Sequence, residues 1–267
     1  MESQKILSRE KIFHDKFSSK IKVDLIDVRR FFEGSTSPEN RFIMKNIGNI
    51  EGKKMLDLGC GAGEAGVYFA LKGADCTAAD LSPGMLKKAL ELAKKYNVKI
   101  KTKLIDANYT KFSDNSFDIV YAANLLHHVD SKKTLNEIYR ILKSGGILCF
   151  WDPLKHNPLI NIYRKIAEKV RTRDEKPLDI NIVKLVKKNF SEVKYDTFWI
   201  ASLWIFISFY IIENIDPNKE PYWKKIIIEE ARIRKTYQFL EKIDKILKKL
   251  PIIKRFAWNV AVIAKKQ

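Results

Sequence analysis

Between residues 53 and 152 short apolar runs alternate with longer segments whose apolar positions recur every three to four residues. The runs at 54–58, 75–79, 100–105, 117–122 and 146–151 read as buried strands, and 65–71, 83–96 and 131–142 as the helices between them. Such alternation predicts parallel βαβ units with right-handed crossovers, hence a doubly wound α/β sheet. The helix over 131–142 runs into Lys143-Ser144-Gly145-Gly146, where glycine is expected to supply the C-cap.

Two charged helical patterns over 6–32 precede this core, and Ser37-Pro38-Glu39 opens a third helix with Ser37 as N-cap and Pro38 at the first position. These helices are expected to cap the ligand side of the sheet. After the core, 158–170 and 179–189 read as helices, and 193–198 and 257–265 as the last two strands. Between those strands, 198–212 is fifteen residues without a charge, rich in Trp, Phe and Ile, and 221–250 is helical and basic. A helix of that length spans roughly 22 Å, short of the ~30 Å hydrocarbon core, which leaves an interfacial segment or a buried lid helix. The expected division is 1–50 as N-terminal cap helices, 51–197 plus 257–267 as the core, and 198–256 as a helical lid insertion.

Composition is that of an ordinary folded chain, so disorder is not the theme. Cys60, Cys76 and Cys149 lie in or beside strands with no C-x-x-C pair and no histidine at metal-ligand spacing, so no metal is expected. They read as small buried hydrophobes in a reducing compartment, and the charged N-terminus lacks an apolar signal core, so a cytoplasmic location follows. The net charge of +18 invites nucleic acid or anionic lipid as partner. Most of the excess is Lys in a Lys- and Ile-rich chain without an Arg-rich arm, which ranks nucleic acid below a small-molecule partner.

The chemistry gathers at Met55-Leu56-Asp57-Leu58-Gly59-Cys60-Gly61-Ala62-Gly63-Glu64, a carboxylate and three glycines at the end of a buried strand. Glycine allows positive φ and close backbone approach, and the helix that follows turns its N–H groups toward the turn. Residues 61–66 also satisfy G-x-G-x-x-G, the dinucleotide pattern. Against that reading, Asp57 stands two residues before Gly59, where it would repel a pyrophosphate but suits a ligand carrying an ammonium group. Asp80 closes the second strand, a position from which a carboxylate accepts both hydroxyls of a ribose. A nucleoside with a cationic tail fits both, namely S-adenosylmethionine.

On these residues the chain resembles the class I S-adenosylmethionine-dependent methyltransferase family. Leu56 to Gly63 is similar to the family's first motif, Ala79-Asp80-Leu81-Ser82-Pro83-Gly84-Met85 to its second and Asp106-Ala107 to the adenine-contact pair. Phe117-Asp118-Ile119-Val120 with Asn124-Leu125-Leu126-His127-His128-Val129 resembles the fourth strand and its loop, and Leu142 to Gly146 the turn before the fifth. The resemblance implies a Rossmann-like seven-stranded sheet whose last strand runs antiparallel. It implies that Asp57, Gly59, Cys60 and Gly61 line the methionine moiety, that Asp80 holds the ribose, that Leu81 and Met85 border the adenine, and that Asp106 and Ala107 meet the adenine amino group. Asn124 is expected among the cofactor contacts as well. The segments 156–164 and 171–175 are loosely similar to those of the quinone-biosynthesis methylases, which points to a lipid-like acceptor.

Methyl transfer from a sulfonium is an in-line displacement in which alignment and exclusion of water supply much of the catalysis, so a base is optional. His127 and His128 after the fourth strand and His156 after the fifth are the candidate bases, delivered by parallel strands to the carboxyl-end crevice. Asn157 is a candidate acceptor contact or a helix cap, and His14 on the N-terminal helix either borders the site or is a solvated histidine. Trp199 and Trp204 are candidate acceptor contacts from the insertion. Two readings of its aromatics stand: an apolar tunnel or membrane-contacting surface, with Lys224, Lys225, Arg232, Arg234, Lys248, Lys249, Lys254 and Arg255 toward anionic headgroups, or an ordinary lid. The expected function is methyl transfer to a hydrophobic small molecule or lipid-like acceptor, at or near a membrane surface. RNA methylation and non-catalytic S-adenosylmethionine binding are the alternatives.

Overall fold

The computed structural model describes residues 2–267. Helices α1 (Glu2–Ser18), α2 (Val28–Glu33) and α3 (Pro38–Asn46) lead into a seven-stranded sheet. The strands are β1 (Lys54–Leu58), β2 (Asp75–Asp80), β3 (Lys101–Leu104), β4 (Phe117–Ala123), β5 (Leu142–Pro153), β6 (Phe190–Phe198) and β7 (Asn259–Lys266). Their spatial order is β3-β2-β1-β4-β5-β7-β6, with β7 antiparallel to both neighbours and the remaining pairs parallel. The order reverses between β1 and β4, which opens a crevice at their carboxyl ends.

Alternation along the central strands sends side chains to two cores. Leu56, Leu58, Val120 and Ala122 pack under α6 (Ser131–Ile141) and α8 (Ile182–Asn189), whereas Met55, Ile119 and Tyr121 face α2, α3 and α4 (Glu64–Leu71). Helix α5 (Pro83–Lys95) follows β2 and is capped by Ser82, whose Oγ accepts the Met85 N–H at 3.1 Å.

Two expected caps differ. Ser37 occupies the N-cap position of α3, but its hydroxyl faces the Arg30 carbonyl at 3.5 Å instead of capping. Helix α6 ends at Ile141, and Leu142 is already extended and paired with Phe117, so Gly145 at φ +73 turns the chain inside β5 and caps nothing.

Beyond β5 lies α7 (Pro158–Ile166), and beyond β6 come α9 (Trp204–Ile207), a π-helical turn (Ser208–Ile212), α10 (Tyr222–Ile228), α11 (Glu230–Leu247) and α12 (Pro251–Lys254). Trp199, Phe206, Phe209, Tyr222 and Tyr237 form a third core with Tyr163. Ring centroids stand 4.9 Å apart for Trp199–Tyr237 and for Phe206–Trp258. Most aromatics of the 198–256 segment are therefore packed on one another. Trp204, Tyr210, Ile211 and Ile212 remain exposed. Among the described residues no helix is long and apolar enough to cross a membrane.

The segment is tied to the N-terminal helices by polar contacts. Thr36 Oγ1 donates to the Ile226 carbonyl at 2.8 Å, Ser35 Oγ to Glu230 at 2.6 Å, and Arg41 to Glu241 at 2.7 Å. Of the basic side chains expected toward headgroups, Lys225, Arg232, Arg234 and Lys248 are ion-paired to acids of this protein, and Lys224 turns inward.

Helix α1 is held differently. Its Asp15 carboxylate accepts from Ser82 Oγ at 2.5 Å and from Gly84 N–H at 3.1 Å, and a Cβ on Gly84 would stand 2.3 Å from Ser18 Oγ. Asp15→Ala removes both contacts, at about 1.5 kcal/mol. A roughly tenfold faster proteolytic cleavage within α1 is expected, with the melting of the core unchanged.

Candidate active site

The carboxyl ends of β1, β2, β4 and β5 open into one cavity of about 1090 Å3, roofed by α1 and α10 and walled by α3 and Trp258. Asp57, Gly59, Cys60, Gly61, Asp80, Leu81, Met85, Asp106, Ala107 and Asn124 all line it, as do His127, His128 and Trp199. Three expected residues do not. His156 is exposed and its Nε2 faces Asp179 at 3.0 Å, because the chain after β5 bridges Leu154 to Leu178 and turns away. Asn157 caps α7, its Oδ1 accepting from Ile160 N–H at 3.0 Å and its amide donating to the Phe256 carbonyl. Trp204 is 54% exposed on the outside of the third core.

The glycine turn is built by sterics and by two carboxylates. Gly59 has φ +71, and a Cβ there would meet Leu125 Cδ1 at 2.8 Å; Gly61, at φ +53, has nothing within 4 Å and leaves an open cradle. Asp57 is buried and accepts the Gly66 N–H at 2.8 Å, which ties the strand to the first turn of α4. Asp80 Oδ2 accepts from Gly61 N–H and Oδ1 from Ser82 N–H, each at 2.9 Å. Burial pushes Asp57 up to about 7, against its bond from Gly66 and with help from Glu64 and Asp80; burial also raises Asp80 and Glu64. Crowded carboxylates facing a shared cavity are stabilised by a cation and destabilised by a pyrophosphate. With the open cradle at Gly61, the residues fit a cationic nucleoside and disfavour a dinucleotide.

Asp106 is less free than its motif implies, since Oδ1 accepts from both Asn108 N–H at 2.8 Å and Asn108 Nδ2 at 2.9 Å in a local turn. Asn124 takes φ +51 and donates its N–H to the Trp151 carbonyl at 2.8 Å, so it ends β4 at the crevice.

His127 is buried with Nδ1 2.6 Å from Asp152 Oδ1, and that carboxylate also accepts from the Leu126 and His127 N–H groups. Burial lowers the imidazole to about 3 and raises the carboxyl to about 7, so His127 is neutral at neutral pH and its orientation is fixed. Its ring centroid lies 4.0 Å from that of His128, which in turn approaches His14 at 5.5 Å. The pair is a fixed wall of low basicity, suited to orienting a neutral group.

Several lining residues carried no signal in the strand motifs. Glu10, Phe13, His14 and Phe17 repeat at helical spacing on one face of α1, and all four line the cavity. That repeat was the available sign that α1 covers a site. Glu39 accepts from Asn259 Nδ2 at 2.7 Å and is raised by burial to about 7, while Asn40 Oδ1 accepts from Tyr121 at 2.7 Å and Trp151 at 3.1 Å. Lys224 lies 4.4 Å over the Phe17 ring, its pKa lowered by burial despite Glu64.

The family pattern described as methyltransferase domain matches residues 56–150. Phosphoethanolamine N-methyltransferase 2 of Caenorhabditis elegans is 38% identical over 112 residues, which are 40% of this chain and 26% of that protein. A demethylmenaquinone methyltransferase of Renibacterium salmoninarum is 35% identical over 116 residues, covering 43% and 47% of the two chains. The chain thus spans half or less of the length of these relatives. Among solved structures, Haemonchus contortus phosphoethanolamine N-methyltransferase 2, in complex with phosphomonomethylethanolamine and S-adenosylhomocysteine, superposes with TM-score 0.56 at 25% identity, covering 86% of this chain and 52% of that one. A putative sarcosine dimethylglycine methyltransferase of Galdieria sulphuraria shares the fold with TM-score 0.58 at 16% identity, covering 87% and 85%. With the strand order, the glycine turn and its paired carboxylates already in place, these matches identify residues 56–150 as a methyltransferase domain of the class I S-adenosylmethionine-dependent type.

Proposed function

We propose that the protein transfers the methyl group of S-adenosylmethionine to a small, largely apolar acceptor enclosed beneath α1 and α10. The observation that carries this reading is one cavity that holds the glycine turn and continues under an aromatic roof of Phe13, Phe17, Trp223 and Trp199. Its volume lies just above the roughly 300–1,000 Å3 range of single-ligand sites, in keeping with cofactor and acceptor side by side. The cofactor supplies an activated methyl group. Asp57 and the Gly59–Gly61 backbone would hold its amino-acid end and Asp80 its ribose, with Leu81, Met85 and Ala107 against the base. Trp199 would bound the acceptor, and His127, oriented by Asp152, would accept its hydrogen bond. Alignment and exclusion of water by the roof then carry the rate.

Incubating the protein with labelled S-adenosylmethionine and fractionated cell extract, then partitioning the label between lipid, RNA and soluble pools, tests the reading. Label in the lipid or organic-soluble pool supports it, and label confined to RNA refutes it.

Asp57 gives the cofactor site a pH dependence whose sign is fixed. A carboxyl raised to about 7 by burial is protonated below that pH and loses its attraction for a cation. Glu64, Asp80 and Tyr121 face it and oppose its ionisation or are themselves neutral, so none offsets the effect. Affinity for S-adenosylmethionine is expected to tighten about tenfold as the pH rises from about 5.5 to about 7.5, measured by calorimetric titration.

A membrane-surface location is supported by the exposed cluster Trp204, Tyr210, Ile211 and Ile212, at 54%, 48%, 72% and 72% exposure. Ile211→Asp with Ile212→Asp is expected to lower sedimentation with anionic vesicles at least tenfold, and equal sedimentation of both proteins would remove this part of the proposal.

A further inference from the structure

One polar cluster in the cavity is left unused by methyl transfer. Glu10 and His14 stand one turn apart on α1 and leave the same face of the helix, and His128 approaches them from the loop after β4. The Glu10 side chain is only 6% exposed, and neither of its oxygens has a hydrogen-bond partner. Its Oε2 lies 3.1 Å from His128 Nδ1 and 3.4 Å from His14 Nε2. Thr172 Oγ1 is also near, 3.4 Å from His128 Nδ1. A buried carboxylate flanked by two imidazoles has its desolvation answered either by a protonated histidine or by a metal ion held between them.

The spacing of these atoms is that of ligands around one ion. Metal–ligand bonds of roughly 2.0–2.2 Å place neighbouring ligand atoms about 3.0 Å apart in an octahedron and about 3.4 Å apart in a tetrahedron. The two separations, 3.1 and 3.4 Å, lie within that range, and all three ligand atoms lie within 4.8 Å of one another. A second grouping, His127, His128 and Glu175, is equally compact. There the carboxylate is already committed, since Glu175 is paired with Arg171, and His127 offers only Nε2 because its Nδ1 faces Asp152.

We propose that Glu10, His14 and His128 bind a divalent transition metal, Zn2+ being the ion best suited to two imidazoles and one carboxylate, and that this metal pins α1 across the cavity. Three protein ligands leave at least one position for water or for a heteroatom of the acceptor. The metal thus joins a helix otherwise docked through Asp15 and Arg9 to the loop that ends β4. The inference stands apart from methyl transfer, because metal binding is read without cofactor or acceptor.

The test is titration of Zn2+, and of Co2+ as a spectroscopic probe, into the whole protein after chelator treatment. One ion per chain is expected, together with slower proteolysis of α1 once Zn2+ is added. Glu10→Gln and His14→Ala, each confirmed to melt as the parent does, are expected to weaken binding by about 100-fold or more, beyond the roughly 10–100-fold lost with an outer-shell partner. His156→Ala, altered outside the cavity, should bind as the parent does. No stoichiometric binding by the parent protein, or equal affinity in the parent and both ligand variants, would overturn the proposal.

Discussion

Asp80→Ala is expected to weaken binding of S-adenosylhomocysteine by about two orders of magnitude in a calorimetric titration. The carboxylate closes β2 and accepts two backbone N–H groups at 2.9 Å, one from Gly61 in the glycine turn and one from Ser82 at the start of α5. Two ribose hydroxyls donating to this charged acceptor would contribute about 1.5–3 kcal/mol each, so losing both reaches the ~3 kcal/mol that corresponds to a hundredfold change in affinity. Gly61 at φ +53 also loses the contact that fixes its turn, which disorders the cradle in the free protein and adds to the effect. Asp80→Asn keeps one acceptor oxygen and should fall between the two. Affinity within twofold of the parent in Asp80→Ala would show that the ribose is held elsewhere.

The largest expected effect on stability comes from a residue that does not line the cavity. Asp244 of α11 is 6% exposed and gathers the start of the 198–256 segment: it accepts from Ile200 N–H at 3.3 Å, Ala201 N–H at 2.5 Å, Ser202 N–H at 3.3 Å and Ser202 Oγ at 2.5 Å. These are the free donors at the beginning of the short 3-10 helix Ala201–Leu203. Asp244→Ala strands several of them in a buried setting, at roughly 1–3 kcal/mol for each one left unmade. A loss of about 3–4 kcal/mol follows, or about 6–15 °C in melting temperature. Asp244→Asn, which keeps one acceptor, should recover about half. An unchanged melting temperature would mean that the third core holds the segment without this anchor.

The central sheet was legible because its information is local. Lys54–Leu58 is a strand in sequence pattern and in space, and Ser82-Pro83 caps and starts α5 as their chemistry requires. Asp57, Gly59, Gly61 and Asp80 lie within 24 positions of one another, and parallel strands deliver them to one edge. The roof was not legible in this way. Glu10, Glu39, Lys224 and Asn259 reach the cavity from segments more than 200 residues apart, so no window of sequence holds the pattern. His156 misled for the opposite reason: its position after β5 is right for the crevice, but Asn157 caps α7 three residues from Leu154 and draws the loop outward. The aromatics of 198–212 had two readings because burial is a tertiary property. Trp199 went into the core and Trp204 to the surface, five positions apart.

The placement of β7 between β5 and β6 bears on how a ribosome-bound chain acquires this shape. Strand β6 touches the sheet only through β7, and every residue from Asn259 to Ala264 is buried. Until β7 has left the exit tunnel, β5 presents an open edge and β6 has no partner, so β6 must wait about 60 residues of synthesis, or several seconds, for its anchor strand. Strands β1 to β5 can assemble earlier, and Asn259 reaches Glu39 only when β7 arrives. The cavity is therefore walled off late in biogenesis, and slow emergence of the last strand prolongs the interval in which chaperones meet an unfinished fold.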